Sequence, residues 1–127
     1  MILIVDDDPS VRRLVELRLS SRGFPTKSAG NAKEAMQILH SGIRPCLLLL
    51  DIMMPGKTGW EFADMLLKEP LLSTIPIKFM SANPLAIEKY IASGGSRISL
   101  LPKPLDSSRL LSAAEAHCKH RSAGAAK

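Results

Sequence analysis

Aromatic residues are scarce in this chain: three Phe, one Tyr and one Trp among 127 residues. Any core must therefore be aliphatic. Cysteine is scarcer still. Cys46 and Cys118 supply neither a disulfide framework nor a zinc quartet, and they are expected as reduced thiols in a cytoplasmic protein. No apolar run exceeds five residues, Cys46–Leu50 being one such run, whereas a membrane helix needs about 20. The N-terminus lacks the basic-then-apolar layout of a signal peptide. Acids are the minority charge, 12 against 17 Lys and Arg, for a net charge of +5. No low-complexity block or internal repeat stands out, and the composition is that of a globular chain, not a disordered or collagen-like one. The length suits one domain and excludes two ordinary ones.

What is present is an alternation of short apolar runs and helical patterns. Met1–Val5 and Cys46–Leu50 are continuous apolar runs, as expected of strands buried on both faces. Phe24–Ala29 has one polar face and is placed at a sheet edge. Ile75–Met80, with Pro76 near its start, and Ile98–Leu101 complete five strands. Asp8-Pro9 reads as an N-cap followed by proline at the first helical position, with Val11, Leu14, Val15 and Leu19 as the buried stripe and Gly23 as the stop. Asn31 with Glu34 reads as a capping box before Ala32, Ala35, Met36 and Leu39, closed by Gly42. A third helix is predicted over Trp60–Lys68 and a fourth from Asn83-Pro84 to Gly94-Gly95. A fifth is capped by Asp106, with Leu110, Ala114 and Cys118 on one face. Strict alternation predicts an α/β fold with a parallel sheet covered by helices on both sides. Residues 1–118 form the expected domain, and 119–127 a flexible tail or linker stub.

Four strands end in chemically useful residues: Asp6-Asp7-Asp8, Asp51, Ser81 and Lys103. In a parallel sheet these ends share one edge, where ligands bind at the switch point of strand order. Clustered carboxylates repel unless neutralised, and a hard divalent cation such as Mg²⁺ does this with oxygen ligands. A carboxylate can also act as nucleophile toward a phosphoryl group. Ser81 offers a hydrogen bond and Lys103 a point charge to its oxygens. Taken singly each motif is weak: the acidic run fits a solvated turn, and Lys103 fits an exposed loop. Their coincidence carries the reading.

The segments Ile4-Val5-Asp6-Asp7-Asp8-Pro9, Leu50-Asp51-Ile52-Met53-Met54-Pro55-Gly56, Met80-Ser81-Ala82 and Leu101-Pro102-Lys103-Pro104 closely resemble the receiver domain of two-component response regulators. The resemblance covers about residues 1 to 118 and is specific, because the four motifs fall in the right order at strand ends. It implies a flavodoxin-like doubly wound sheet of five parallel strands, order 2-1-3-4-5, with five helices. It implies Asp51 as phosphoacceptor. For Mg²⁺ it implies Asp7, Asp51 and the Met53 carbonyl as ligands, with Asp6 acting through water. It implies Ser81 and Lys103 on the phosphoryl group, and a sensor histidine kinase or phosphotransfer protein as donor. By the same resemblance the Lys103–Pro104 bond is expected to be cis, against a general frequency of about 5–6%.

Two features depart from the family pattern. Leu100 stands where receivers usually carry Tyr or Phe as a switch residue, and the turn Gly94–Ser99 counts one residue longer and lacks the common acids. They leave an alternative: a pseudo-receiver, a protein-interaction module signalling without phosphate. A small Mg²⁺-dependent phosphohydrolase is disfavoured, since no second acid is placed as general acid. The expected protein is thus a phosphorylatable switch, not a turnover enzyme, with a downstream protein target. Neither nucleic acid nor membrane is an expected partner. The basic excess is scattered, thirteen basic against ten acidic residues over 1–105 and four against two after it, with no stripe or interleaved aromatics. His40, His117 and His120 lack metal-ligand spacing and are read as surface residues. Cys46 is read as a core residue, and Trp60 as a packing residue near enough to Asp51 to report on metal binding. The 127 residues are expected to leave no room for an effector domain, so the chain is expected to be either a single-domain regulator or a receiver cut from a longer protein.

Overall fold

Ile2–Val5 (β1) is wholly buried, and Leu47–Asp51 (β3) likewise. Such strands satisfy their backbone only in the middle of a sheet, with a helical layer on each face. Both occupy that position. The computed structural model describes residues 1–52, 54, 56, 58–81, 98–103 and 105–118, with the backbone alone at 98–100 and 102. Its sheet has five parallel strands in the order β2-β1-β3-β4-β5, where β2 is Thr26–Ala29, β4 Ile77–Ser81 and β5 Ile98–Pro102. The half-polar β2 lies at an edge, as its alternation predicts. The described helices are α1 (Pro9–Ser20), α2 (Ala32–His40), α3 (Gly59–Leu67) and α4 (Ser107–His117). The helix expected from Asn83-Pro84, the turn through Gly94–Arg97, Met53, the Lys103–Pro104 bond, His120 and the tail 119–127 lie outside the described residues, as does the Leu100 side chain.

Alternate strand residues face opposite layers. Leu3, Val5, Leu48, Leu50, Ile77 and Phe79 pack with α2 and α3 through Met36, Leu39, Phe62 and Leu66. Ile2, Ile4, Leu47, Leu49, Met80 and Leu101 pack with α1 and α4 through Val15, Leu19, Leu110 and Ala114. The stripe expected on α1 is narrower than predicted. Val15 and Leu19 are fully buried, but Leu14 is 45% exposed, and Phe24 fills the space beyond the helix end. On α2 the expected Ala32, Ala35, Met36 and Leu39 are all buried.

The caps follow the sequence in part. Asp8 accepts from the Ser10 amide at 2.9 Å and Asp106 from the Ser108 amide at 2.8 Å. Asn31 accepts from the Glu34 amide at 2.8 Å, but Glu34 returns its carboxylate to the Gly30 amide, so the expected reciprocal box is one-sided. The complete capping box lies at α3. The Thr58 hydroxyl accepts from the Glu61 amide, and Glu61 accepts from the Thr58 amide. The sequence pattern places Thr58 in a loop; as a cap it starts α3 one residue before Trp60. Thr58→Ala removes half the box and is expected to cost about 1 kcal/mol. Thermal unfolding should show this as a drop of about 4 °C.

The reduced thiols expected at Cys46 and Cys118 are corrected by the structure. The two are joined in a disulfide, with Cα atoms 5.5 Å apart across a separation of 72 residues. Spacing gives no hint of this pairing. It arises because Cys46 immediately precedes β3, while α4 runs back from the carboxyl edge of the sheet and ends at Cys118.

Candidate acidic site at the carboxyl edge of the sheet

Parallel register places the strand ends in a row. Val5 pairs with Leu50, Asp51 with Met80 and Ser81 with Pro102. Asp6, Asp51, Ser81 and Lys103 therefore emerge along one edge, on four adjacent strands. Asp6 is completely buried, Asp51 is 5% exposed and Ser81 is buried, whereas Asp7 is exposed. One oxygen from each of Asp6, Asp7 and Asp51 lies within 4.8 Å of the others. Among the described residues, this is the one such carboxylate group.

Lys103 connects the strand ends. Its amide donates to the Ser81 carbonyl at 2.8 Å. Its ammonium donates to Asp51 Oδ1 at 3.1 Å and to Asp6 Oδ2 at 3.2 Å. Burial pushes the Asp51 carboxyl up, and the neighbouring Asp6 charge pushes it further. The Lys103 ammonium opposes both, leaving Asp51 at about 6. Burial alone would lower Lys103, but attraction to Asp51 and Asp6 outweighs it and holds the ammonium above its ordinary value. The site thus carries one fixed cation against three acids, a deficit of positive charge.

The acidic loop is held from beneath. The Asp8 amide donates to Asp6 Oδ1 at 2.9 Å, fixing that carboxylate. From α1, Arg12 Nη1 donates to the Asp6 carbonyl at 2.7 Å. Nothing in the sequence singles out Arg12, one basic residue among several on α1. Gly59 is equally unmarked there. A Cβ at this position would stand 2.5 Å from the Asp51 carbonyl oxygen and 2.9 Å from Ile52 Cα. The Gly59 amide donates to the Ile52 carbonyl at 2.9 Å, so α3 begins pressed against the Asp51 backbone. Gly59→Ala is expected to destabilise by about 2 kcal/mol or more, since backbone atoms cannot swing aside. Denaturant unfolding measures it. Trp60 follows and packs against Phe79 of β4, ring centroids 5.2 Å apart, which agrees with its reading as a packing residue near the site. His40 is exposed and paired with Glu69 at 3.1 Å, and His117 is also exposed.

The fold and pocket define a doubly wound α/β domain with a charged crevice at its carboxyl edge. Residues 2–115 match the family model of the response regulator receiver domain, and the chain belongs to that family. A 14.6 kDa protein from the sodA1 3' region of Leptolyngbya boryana is 32% identical over 92% of this chain and 88% of its own. Response regulator Rre1 of Synechocystis is 32% identical over 86% of this chain, and this chain spans 47% of its length. Among solved structures, a response regulator from Chloroflexus aurantiacus superposes with a TM-score of 0.82 at 28% identity, covering 91% of this chain and 93% of its own. The receiver domain of NtrX from Brucella abortus gives 0.80 at 28%, covering 92% and 97%. The chain spans about half or less of several curated relatives it matches. No helix among the described residues is long and apolar enough to cross a membrane.

Proposed function

We propose that this receiver domain, taken as residues 1–118 with 119–127 as tail or linker, is a switch phosphorylated on Asp51 by a sensor histidine kinase or phosphotransfer protein in the cytoplasm. The convergence of Asp51 with Asp6, Asp7 and Lys103 supports the reading. An Asp51 carboxylate oxygen attacks phosphorus. The new P–O bond forms as the donor's P–N bond breaks, and the departing imidazole takes up a proton from water. The three carboxylate donors, with surplus negative charge, suit a hard divalent cation. Asp7, Asp51 and the Met53 carbonyl would hold Mg²⁺ directly and Asp6 through water, neutralising charge on the phosphoryl oxygens. Lys103, hydrogen-bonded to Asp51, would transfer its contact to the incoming phosphoryl group, joined by the Ser81 hydroxyl from the adjacent strand end. Chemistry of this kind needs positioning and charge more than a further catalytic group. The product is a changed protein surface and not a turned-over substrate. Output therefore passes to a protein target, and the scattered basic charge gives no nucleic-acid footprint. An intact acid–lysine cluster favours this reading over a pseudo-receiver.

The test is incubation with Mg²⁺ and a small acyl phosphate, followed by intact mass measurement. One added phosphoryl group is expected, lost in Asp51→Asn and without Mg²⁺. Absence of any adduct in the unmodified protein would overturn the proposal.

A further inference from the structure

The disulfide takes no part in the phosphoryl chemistry. It lies at the opposite edge of the sheet from the acids. Cys46 precedes β3, the strand that ends in Asp51, and Cys118 ends α4, the helix that starts four residues after Lys103. One covalent bond therefore ties the far ends of the two elements whose near ends approach the candidate site. Both cysteines are only half-buried, at the rim of the α1–α4 layer, which keeps the bond near the edge of the core and not at its centre.

The helix it holds has few large anchors of its own. Among its side chains Leu110 is fully buried, Leu111 packs half-buried against the same layer, and the other buried residues are the small Ala113 and Ala114. Its first turn is secured twice, by the Asp106 cap and by the Arg18 guanidinium donating to the Ser107 hydroxyl of that turn. Its last turn has the Cys118 amide on the Ala114 carbonyl and the disulfide. Lasting disulfides belong to oxidising compartments, and those of a cytoplasmic protein are usually transient or redox-sensing.

We infer that Cys46–Cys118 is a reversible two-electron redox site, acted on by a small thiol such as glutathione or by a protein dithiol, and that its state sets how firmly the end of α4 is held. In this the inference rests on the cytoplasmic placement proposed above. A thiolate of the reductant attacks one sulfur, the Cys46–Cys118 bond breaks, and a mixed disulfide forms. A second thiol of the reductant resolves it. Two electrons and two protons end on the cysteines, and the reductant leaves as its own disulfide. Reduction frees the last turn of α4, the point from which the chain continues into 119–127.

The full chain is equilibrated in glutathione buffers of graded reduced-to-oxidised ratio, alkylated, and its thiols counted by intact mass. Each state is also followed by amide hydrogen exchange at the Cys118 amide, which bonds the Ala114 carbonyl in the last turn of α4. The expected result is interconversion of native oxidised and reduced protein across the series. Exchange at that amide should be about tenfold faster when reduced, because exchange follows local opening. Cys46→Ser and Cys118→Ser should each exchange at the reduced rate and ignore the buffer. Asp51→Asn should respond as the unmodified chain does, separating this site from the phosphoryl chemistry. A bond that persists in fully reduced glutathione, thiols that stay free in oxidised glutathione, or equal exchange in both states would overturn the inference.

Discussion

Asp51→Asn is expected to stabilise the domain at pH 7.5 in the absence of divalent cations while removing its capacity to take a phosphoryl group. The sign follows from linkage. The folded Asp51 carboxyl titrates at about 6, above the value of 3.8 for a free carboxyl. The native state thus binds that proton more tightly than the unfolded chain does. Stability associated with this group is highest below about pH 4, falls as pH rises through about 6, and is flat above. At pH 7.5 the chain carries the whole penalty of an ionised carboxylate packed beside Asp6. Asn removes the charge at nearly constant volume. A gain of up to about 3 kcal/mol is expected from the size of the displacement, reduced where water reaches the open side of the pocket. Chemical denaturation at pH 4.5 and 7.5 checks it: the variant should lead at 7.5 and keep only about a third of that lead at 4.5. A variant that is less stable at 7.5 would mean that the Asp51–Lys103 contact outweighs burial. Added Mg²⁺ should close most of the gap. At a hundred times its dissociation constant, a ligand of the native state alone stabilises by about 2.7 kcal/mol, and the Asp51→Asn variant would forfeit most of that.

Loss of the disulfide has the other large expected effect. It closes a loop with a sequence separation of 72 residues. Chain-entropy arguments put a loop of that size at about 4 kcal/mol, and measured effects commonly fall to half of it. Cys118→Ser should therefore lower the melting temperature by about 10 °C. Reductant should produce a similar drop in the parent and none in the variant. Equal melting temperatures with and without reductant would show that packing of α4 alone sustains the domain.

The legibility of this chain differs by level. The central strands announce themselves because burial on both faces demands unbroken aliphatic runs, which Ile2–Val5 and Leu47–Leu50 supply. Asp8 and Asp106 are readable as caps because capping is local chemistry between near neighbours. The complete box at Thr58–Glu61 follows the same rule but is masked by the glycine- and proline-rich loop that surrounds it. Gly59 is legible only as a turn residue. Its contact with the Asp51 carbonyl depends on how α3 meets the end of β3, which no spacing along the chain expresses. Exposure of Leu14 has a similar origin: helical period assigns it to the stripe, while the width of the neighbouring layer decides how much is covered.

By itself the sequence determined the α/β alternation, the central strands and the residues Asp6, Asp7, Asp51, Ser81 and Lys103 at strand ends, because these depend on periodicity and on chemistry within a few residues. Tertiary structure decided what those residues are to one another. It set Lys103 between Asp6 and Asp51, pressed Gly59 on the Asp51 backbone, braced the Asp6 carbonyl with Arg12, and bonded Cys46 to Cys118. Each of these contacts joins parts of the chain that lie on different elements. They exist only because parallel register aligns the strand ends, and because α4 returns its last residue to the start of β3.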